Sequence, residues 1–342
     1  MGLKDIVSGI TTRFSGLRPP PKPSVELDEQ LTSAAELGND PTLKPGSFCM
    51  PVERLEPLLR DSELEVLQTT KCASGVAGAQ IVYLKFPAEK LLVKAKWKEA
   101  KHGGTGLNNE PRKEVASYLI QQWFLAPDEY VVPPTVCRAI PLQHYTKAVR
   151  ETKPTFDDTD CAFGVLAFWI DHVDEMPPLD LTRFESNAAY RDTMANLNLL
   201  TYLVDHRDTR PANFIFSQDP ERPRALAIDN GLAFSGLVNP RILFLHEWRE
   251  LLVPKLPKQK IDRLRGLRRK DLDRLRTVSE LHVRNGQLIS VDPSEQLIPG
   301  DGPVRRQGDV LQLGLEEKEI DDVERRIAKL IHDVDDGNVE LY

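Results

Sequence analysis

From about residue 63 the chain breaks into short runs whose apolar positions change period. Glu63 to Thr70, Gln80 to Phe86 and Lys90 to Trp97 read as strands. Between the first two lies Ala73-Ser74-Gly75-Val76-Ala77-Gly78-Ala79, small and glycine-bearing. Glu110 to Trp123 then predicts a helix, with Val115, Tyr118 and Leu119 on one face at helical spacing. Val131 to Ala139 and Gly164 to Val173 are further strands, the second opening with the unbroken apolar run of a buried strand. The order is strand, glycine-bearing loop, strand, strand, helix, strand, strand.

The remainder is mostly helical. Ser186 is placed to cap a helix reaching Val204, striped by Met194, Leu197, Leu200 and Leu203. Two short strands follow, Phe214-Ile215-Phe216 and Ala225 to Ile228, and further helices are expected near 241–253, 257–266, 269–280 and 316–334. Asn285-Gly286 and Pro299-Gly300-Asp301-Gly302 interrupt that pattern, so 281–313 reads as a hairpin insertion. Residues 1–60 read as an arm. Its tract Arg18-Pro19-Pro20-Pro21-Lys22-Pro23 suits neither helix nor central strand, and one helical turn is expected from Pro57 to Asp61.

Composition narrows the classes. With 342 residues, 40% hydrophobic and 28% charged, the chain is long enough for one large unit or two modest domains. A net charge of −7 argues against a nucleic-acid binder. Cys49, Cys72, Cys137 and Cys161 are scattered and form no CxxC pair, and the histidines have no metal-ligand spacing with them. No signal peptide is expected, and position 6 is Ile, against myristoylation at Gly2. The longest apolar run, Cys161 to Ile170, is too short to span a bilayer, so a cytoplasmic protein is expected.

The stretch richest in chemistry is His206-Arg207-Asp208-Thr209-Arg210-Pro211-Ala212-Asn213, with Asp229-Asn230-Gly231 ending the next strand pair. Phosphoryl transfer needs a carboxylate to orient the attacking hydroxyl and take its proton, and hard oxygen ligands for a divalent cation. Asp208 suits the first task and Asp205 is its rival. Asn213, five residues on in one tight loop, and Asp229, brought back by a hairpin, suit the second. Upstream, Leu92 and Lys94 share a strand face, placing Leu92 against an adenine and Lys94 on the α- and β-phosphates. Glu114 would hold that lysine in an ion pair; Lys96 is the rival for Lys94, and Glu110 for Glu114.

These residues resemble the protein-kinase-like superfamily. HRDTRPAN looks like the catalytic loop of ordinary protein kinases. Ile228-Asp229-Asn230-Gly231-Leu232-Ala233-Phe234, Lys113-Glu114-Val115-Ala116-Ser117-Tyr118-Leu119 and Val132-Pro133-Pro134-Thr135 look more like the branch holding type II phosphatidylinositol 4-kinases and related bacterial kinases. The resemblance covers about residues 65–280. It implies an α+β, bilobal kinase-like fold: a β-rich N-lobe and hinge over 61–173, and a mainly helical C-lobe over 174–342. ATP would bind between the lobes, with Mg²⁺, or Mn²⁺ in its place, on Asn213 and Asp229. By the same likeness Asp208 is the base, Arg210 contacts the γ-phosphate, and Ile170 and Asp171 lie near the adenine. Ser74, Gly75 and Gly78 would cover the phosphates. The chain departs from the pattern at Asn230, where protein kinases have phenylalanine, and in lacking Ala-Pro-Glu downstream.

The implied activity is transfer of a γ-phosphate to a hydroxyl of a protein or a phosphoinositide. A pseudokinase scaffold and a kinase-fold nucleotidyltransferase are the alternatives. Residues 255–276 carry ten basic side chains against three acidic ones, which reads either as a docking surface for an anionic membrane or as a solvated helical face.

Overall fold

The computed structural model describes residues 48, 50–72, 78–106, 110–145, 152–171, 173–217, 219, 221–234 and 247–342. It is a mixed α+β fold with several antiparallel sheets. The arm up to residue 47, and Ser74 and Gly75, lie outside the described residues.

Helix α1, Val52–Asp61, buries Val52, Leu55, Leu58 and Leu59. It is twice the length expected and takes Pro57 into its interior, because this apolar face repays docking on the sheet. Its C-terminal carbonyls are capped from a distance: the buried Arg138 guanidinium donates to Arg60 O at 2.5 Å and Ser62 O at 2.6 Å.

Five strands follow: β1 Glu65–Lys71, β2 Gln80–Phe86, β3 Leu91–Glu99, β4 Thr135–Pro141 and β5 Cys161–Phe168. They form one antiparallel sheet in the order β1-β2-β3-β5-β4. Period-two alternation sets the faces of β3. Val93, Ala95 and Trp97 point into the core, and Lys94, Lys96 and Lys98 share the other face. β3 runs two residues past the expected end at Trp97, because Lys98 and Glu99 pair with Val165 and Gly164 of β5. A Cβ at Gly164 would stand 2.4 Å from Lys98 O, so this close approach depends on glycine.

Helix α2, Pro111–Gln121, crosses between β3 and β4 in sequence and is buried along nearly its whole length. Gln121 fixes its end, accepting from Val131 N and Val132 N at 2.8 and 2.9 Å and donating to Val132 O. Then come β6 Val173–Glu175, α3 Leu181–Ser186, α4 Ala188–Leu203, β7 Phe214–Ser217 and β8 Ala225–Ala227. The cap of α4 is Asn187, whose side chain accepts from Tyr190 N at 2.9 Å; Ser186 ends α3 instead. β6, β7 and β8 make a three-stranded antiparallel sheet.

Next are β9 Lys255–Leu256, α5 Lys258–Arg265 and α6 Arg269–Asp273. The helix expected over 269–280 stops early, since Ser279 begins a strand. The expected hairpin is two hairpins: β10 Ser279–Arg284, β11 Gln287–Val291, β12 Val304–Gln307 and β13 Val310–Leu313 form a sheet in the order β11-β10-β13-β12. Asn285 and Gly286, both at positive φ, make its tight turn. Helix α7, Glu317–Asp335, and β14 Glu340–Leu341 close the chain, β14 pairing in parallel with β9. Of the helix expected near 241–253, only a 3₁₀ turn at Glu247–Arg249 falls among the described residues. Among those residues no helix is long and apolar enough to cross a membrane.

The start of α7 is bound to the start of α2. Buried Glu319 holds Arg112 through both guanidinium nitrogens, lies 3.6 Å from Lys113, and also accepts from Glu316 N. Farther along, Arg326 donates to Leu203 O at the end of α4. Glu319→Ala leaves Arg112 and Lys113 with Glu110 as their one carboxylate partner and is expected to lower unfolding free energy by about 2–3 kcal/mol, measured by urea titration. A loss below about 1 kcal/mol would mean that α7 does not brace α2.

Candidate functional site

Three elements converge on the Lys98 ammonium. It leaves β3 with its side chain 3% exposed and meets Glu114 Oε1 of α2 at 3.2 Å and Asp229 Oδ1 at 3.0 Å. Glu114 spends its other oxygen on the main chain, accepting from Asn230 N at 2.9 Å. Strand, helix and the turn after β8 thus share one buried charge cluster. Burial alone would lower the Lys98 ammonium and raise the Asp229 carboxyl. The opposing charges outweigh it: Glu114 and Asp229 hold Lys98 above the usual lysine value, and Lys96 and Lys98 hold Asp229 well below the usual carboxylate range.

The lysine partner of Glu114 is therefore Lys98, and neither Lys94 nor Lys96. Lys94 lies farther along the same face, where it pairs with Asp171 at 2.6 Å beside the Trp169 ring. Lys96 donates to Ile228 O at 2.6 Å and sits 3.8 Å from Asp229. Ending the strand at Trp97 hid Lys98. The signal that points to it is phase: Lys98 continues the face of Lys94 and Lys96 at the next alternate position. Glu110 turns away, pairing with Arg112 and Lys113.

The loop from α4 to β7 brings up the second group. His206 is fully buried, 5.3 Å from the Phe214 ring, and burial pushes its imidazole below the ordinary value, so it is neutral at pH 7. Asn213 donates from Nδ2 to Asp208 O at 2.8 Å, fixing the turn. Asn213 O in turn accepts from Ile228 N at 3.0 Å, which ties this loop to the Asp229 segment. Arg210 is ion-paired with Asp208 at 3.2 Å. Asp205 sits at positive φ with its carboxylate on Arg207 at 2.6 Å, so its role here is to shape the loop.

A pocket open to solvent lies against this cluster. Its apolar wall includes Val165, Ala167, Phe168, Ile170, Ile215 and Ile228, and its polar end has Lys96, Lys98, Glu114 and Asn230. Ile170 lines it, and Asp171 pairs with Lys94. Leu92 does not line it, since it lies six residues before Lys98 toward the other end of β3, opposite Lys85. Gly78, at positive φ, marks the return of the loop between β1 and β2.

No group of three His, Cys, Asp or Glu side chains gathers to hold a metal among the described residues. The oxygen donors that the resemblance implies are the Asp229 carboxylate, which Lys98 and Lys96 already face, and the Asn213 amide oxygen, whose nitrogen donates to Asp208 O. Such hard donors fit Mg²⁺ or Mn²⁺. Much of the basic stretch 255–276 is neutralised within the fold. Arg269 pairs with Asp273, Glu317, Asp321 and Glu324, Arg265 with Asp335, Lys255 with Glu185, and Lys260 with Glu129.

Lys98→Met leaves buried carboxylates facing a neutral side chain. The expected loss is about 3–5 kcal/mol at pH 8. It should shrink toward pH 5, because the variant gains stability by taking up a proton on folding. Wild type retains the cluster's contribution until pH falls toward the depressed Asp229 value, below the ordinary carboxylate range, or rises through the raised Lys98 value. Urea titrations at both pH values decide it, and a pH-independent loss would contradict the charge cluster. Neither a protein-family model nor a curated protein sequence matches this chain.

Proposed function

We propose that the chain is a kinase-like phosphotransferase that moves the γ-phosphate of a purine nucleoside triphosphate, ATP in the first instance, to a hydroxyl group. The observation that carries this reading is the bridge from Lys98 to Glu114 and Asp229, set beside a pocket and next to the Asp208–Asn213 loop. On this reading the five-stranded sheet with α2, and the elements from β6 onward, correspond to the two lobes of a kinase-like fold.

Each residue then has a task. Lys98, held by Glu114, neutralises the α- and β-phosphates. Asp229 and Asn213 hold Mg²⁺, which supplies charge neutralisation for the phosphates. Asp208 accepts the proton of the acceptor hydroxyl as its oxygen bonds to the γ-phosphorus. The bond from that phosphorus to the β–γ bridging oxygen breaks, and the nucleoside diphosphate leaves. Arg210, beside Asp208, is placed to screen charge on the transferring group. Two acceptor classes remain, a protein and a phosphoinositide.

Transfer of labelled γ-phosphate to cell extract and to phosphoinositide vesicles, in parallel, tests the proposal. Asp208→Ala and Asp229→Ala should each cut transfer at least about 100-fold, whereas Asp205→Ala should keep much of it. Label in neither acceptor, or transfer by Asp229→Ala at the wild-type rate, would overturn the reading.

A further inference from the structure

Phe48 belongs to the stretch expected as an arm, yet it is 8% exposed and joins the core. Its ring stands edge-on to Phe168, with centroids 6.1 Å apart, and the Arg224 guanidinium lies over it at 4.6 Å from the centroid. The two partners come from different sheets. Phe168 ends β5, whereas Arg224 immediately precedes β8 and donates from Nη2 to Tyr130 O at 2.7 Å. Both sheets wall the pocket, the first with Val165, Ala167 and Phe168, the second with Ile215 and Ala227.

Phe48 is not among the residues that line the pocket; it stands behind the wall. Phe168 is in register with Ala95, so its ring lies on the face of the sheet away from Lys96, and there Phe48 meets it. Trp169 and Ile170 continue the wall directly after Phe168, on the way to the second sheet. From that second sheet's side, Arg224 closes over the same ring. Burial pushes its guanidinium down to about 10, so it is charged at pH 7, and an aromatic face is an apolar surface that stabilises a cation. An aliphatic side chain of similar size would fill the space without offering that face.

Resting on the nucleotide-pocket reading above, we infer that Phe48 is a positioning residue: it clasps the two sheets from behind and holds the pocket walls at the spacing that binds ligand. Without the ring, a smaller fraction of molecules has the walls in place, and the apparent affinity falls in proportion to that fraction.

The test is calorimetric binding of a non-hydrolysable ATP analogue with Mg²⁺ to the full chain, alongside urea titration. Phe48→Ala should bind about tenfold more weakly than wild type, and Phe48→Leu, which keeps bulk but offers Arg224 no aromatic face, about threefold more weakly. Leu330→Ala, which opens a cavity in α7 away from the pocket lining, should unfold at lower urea yet bind as wild type does, because affinity in native buffer reports only folded molecules. A Phe48→Ala chain that likewise unfolds at lower urea but binds as wild type does would make the ring purely structural and overturn the inference. Where Phe48→Ala does not fold, Phe48→Leu decides, and wild-type affinity in that variant overturns it. Failure of the wild-type chain to bind the analogue is a different result: it would remove the nucleotide pocket, and this inference with it.

Discussion

One buried ammonium organises this fold. Lys98 can sit in the interior only because Glu114 and Asp229 come to it from two other elements. A lone buried charge is too costly to keep, so each partner fixes the others. The register of β3 on β5, the rotation of α2 and the turn after β8 all have to agree for the cluster to close. Buried ion pairs are often no more stabilising than packed apolar side chains of the same size. Their value here is geometric. They fix where a cation and two carboxylates stand at the end of a pocket.

The supporting structure follows from that requirement. Gly164 lets β5 approach the Lys98 main chain, and the Asn230 amide saturates the second Glu114 oxygen. From the far side, Glu319 of α7 holds the first turn of α2, and Arg326 reaches the end of α4, from which the Asp208 loop departs. The last helix therefore braces both pieces that the proposed chemistry needs in place. Asn230 is buried, and its main-chain N–H donates to Glu114.

Much of this was legible in the residues, and the failures have physical reasons. β2 was placed to the residue, although Val82, Tyr83 and Leu84 are buried in succession rather than alternately. The Asp208–Asn213 spacing gave a tight turn because five residues allow the amide to reach back to Asp208 O. Lys98 was missed because a lysine reads as a strand end, and only tertiary partners make it an interior residue. The helix expected to 280 failed because charged residues near Arg274 continue a helical pattern while Ser279 is drawn into a ladder with Leu313. Pro57 inside α1 shows the same override, tertiary burial outweighing local propensity. The basic stretch is neutralised partly by α7, whose Asp321 and Asp335 lie about 50–70 residues away in sequence, and partly by Glu129 and Glu185 from earlier elements.

The most direct test of the central claim is a crystal structure of the full chain with Mg²⁺ and a non-hydrolysable purine nucleoside triphosphate. The account predicts the base between Ile170, Ile215 and Ile228, the phosphates on Lys98 with the Glu114 pair intact, and the cation on Asp229 and Asn213. A nucleotide bound elsewhere, or a cation that ignores Asp229, would contradict it.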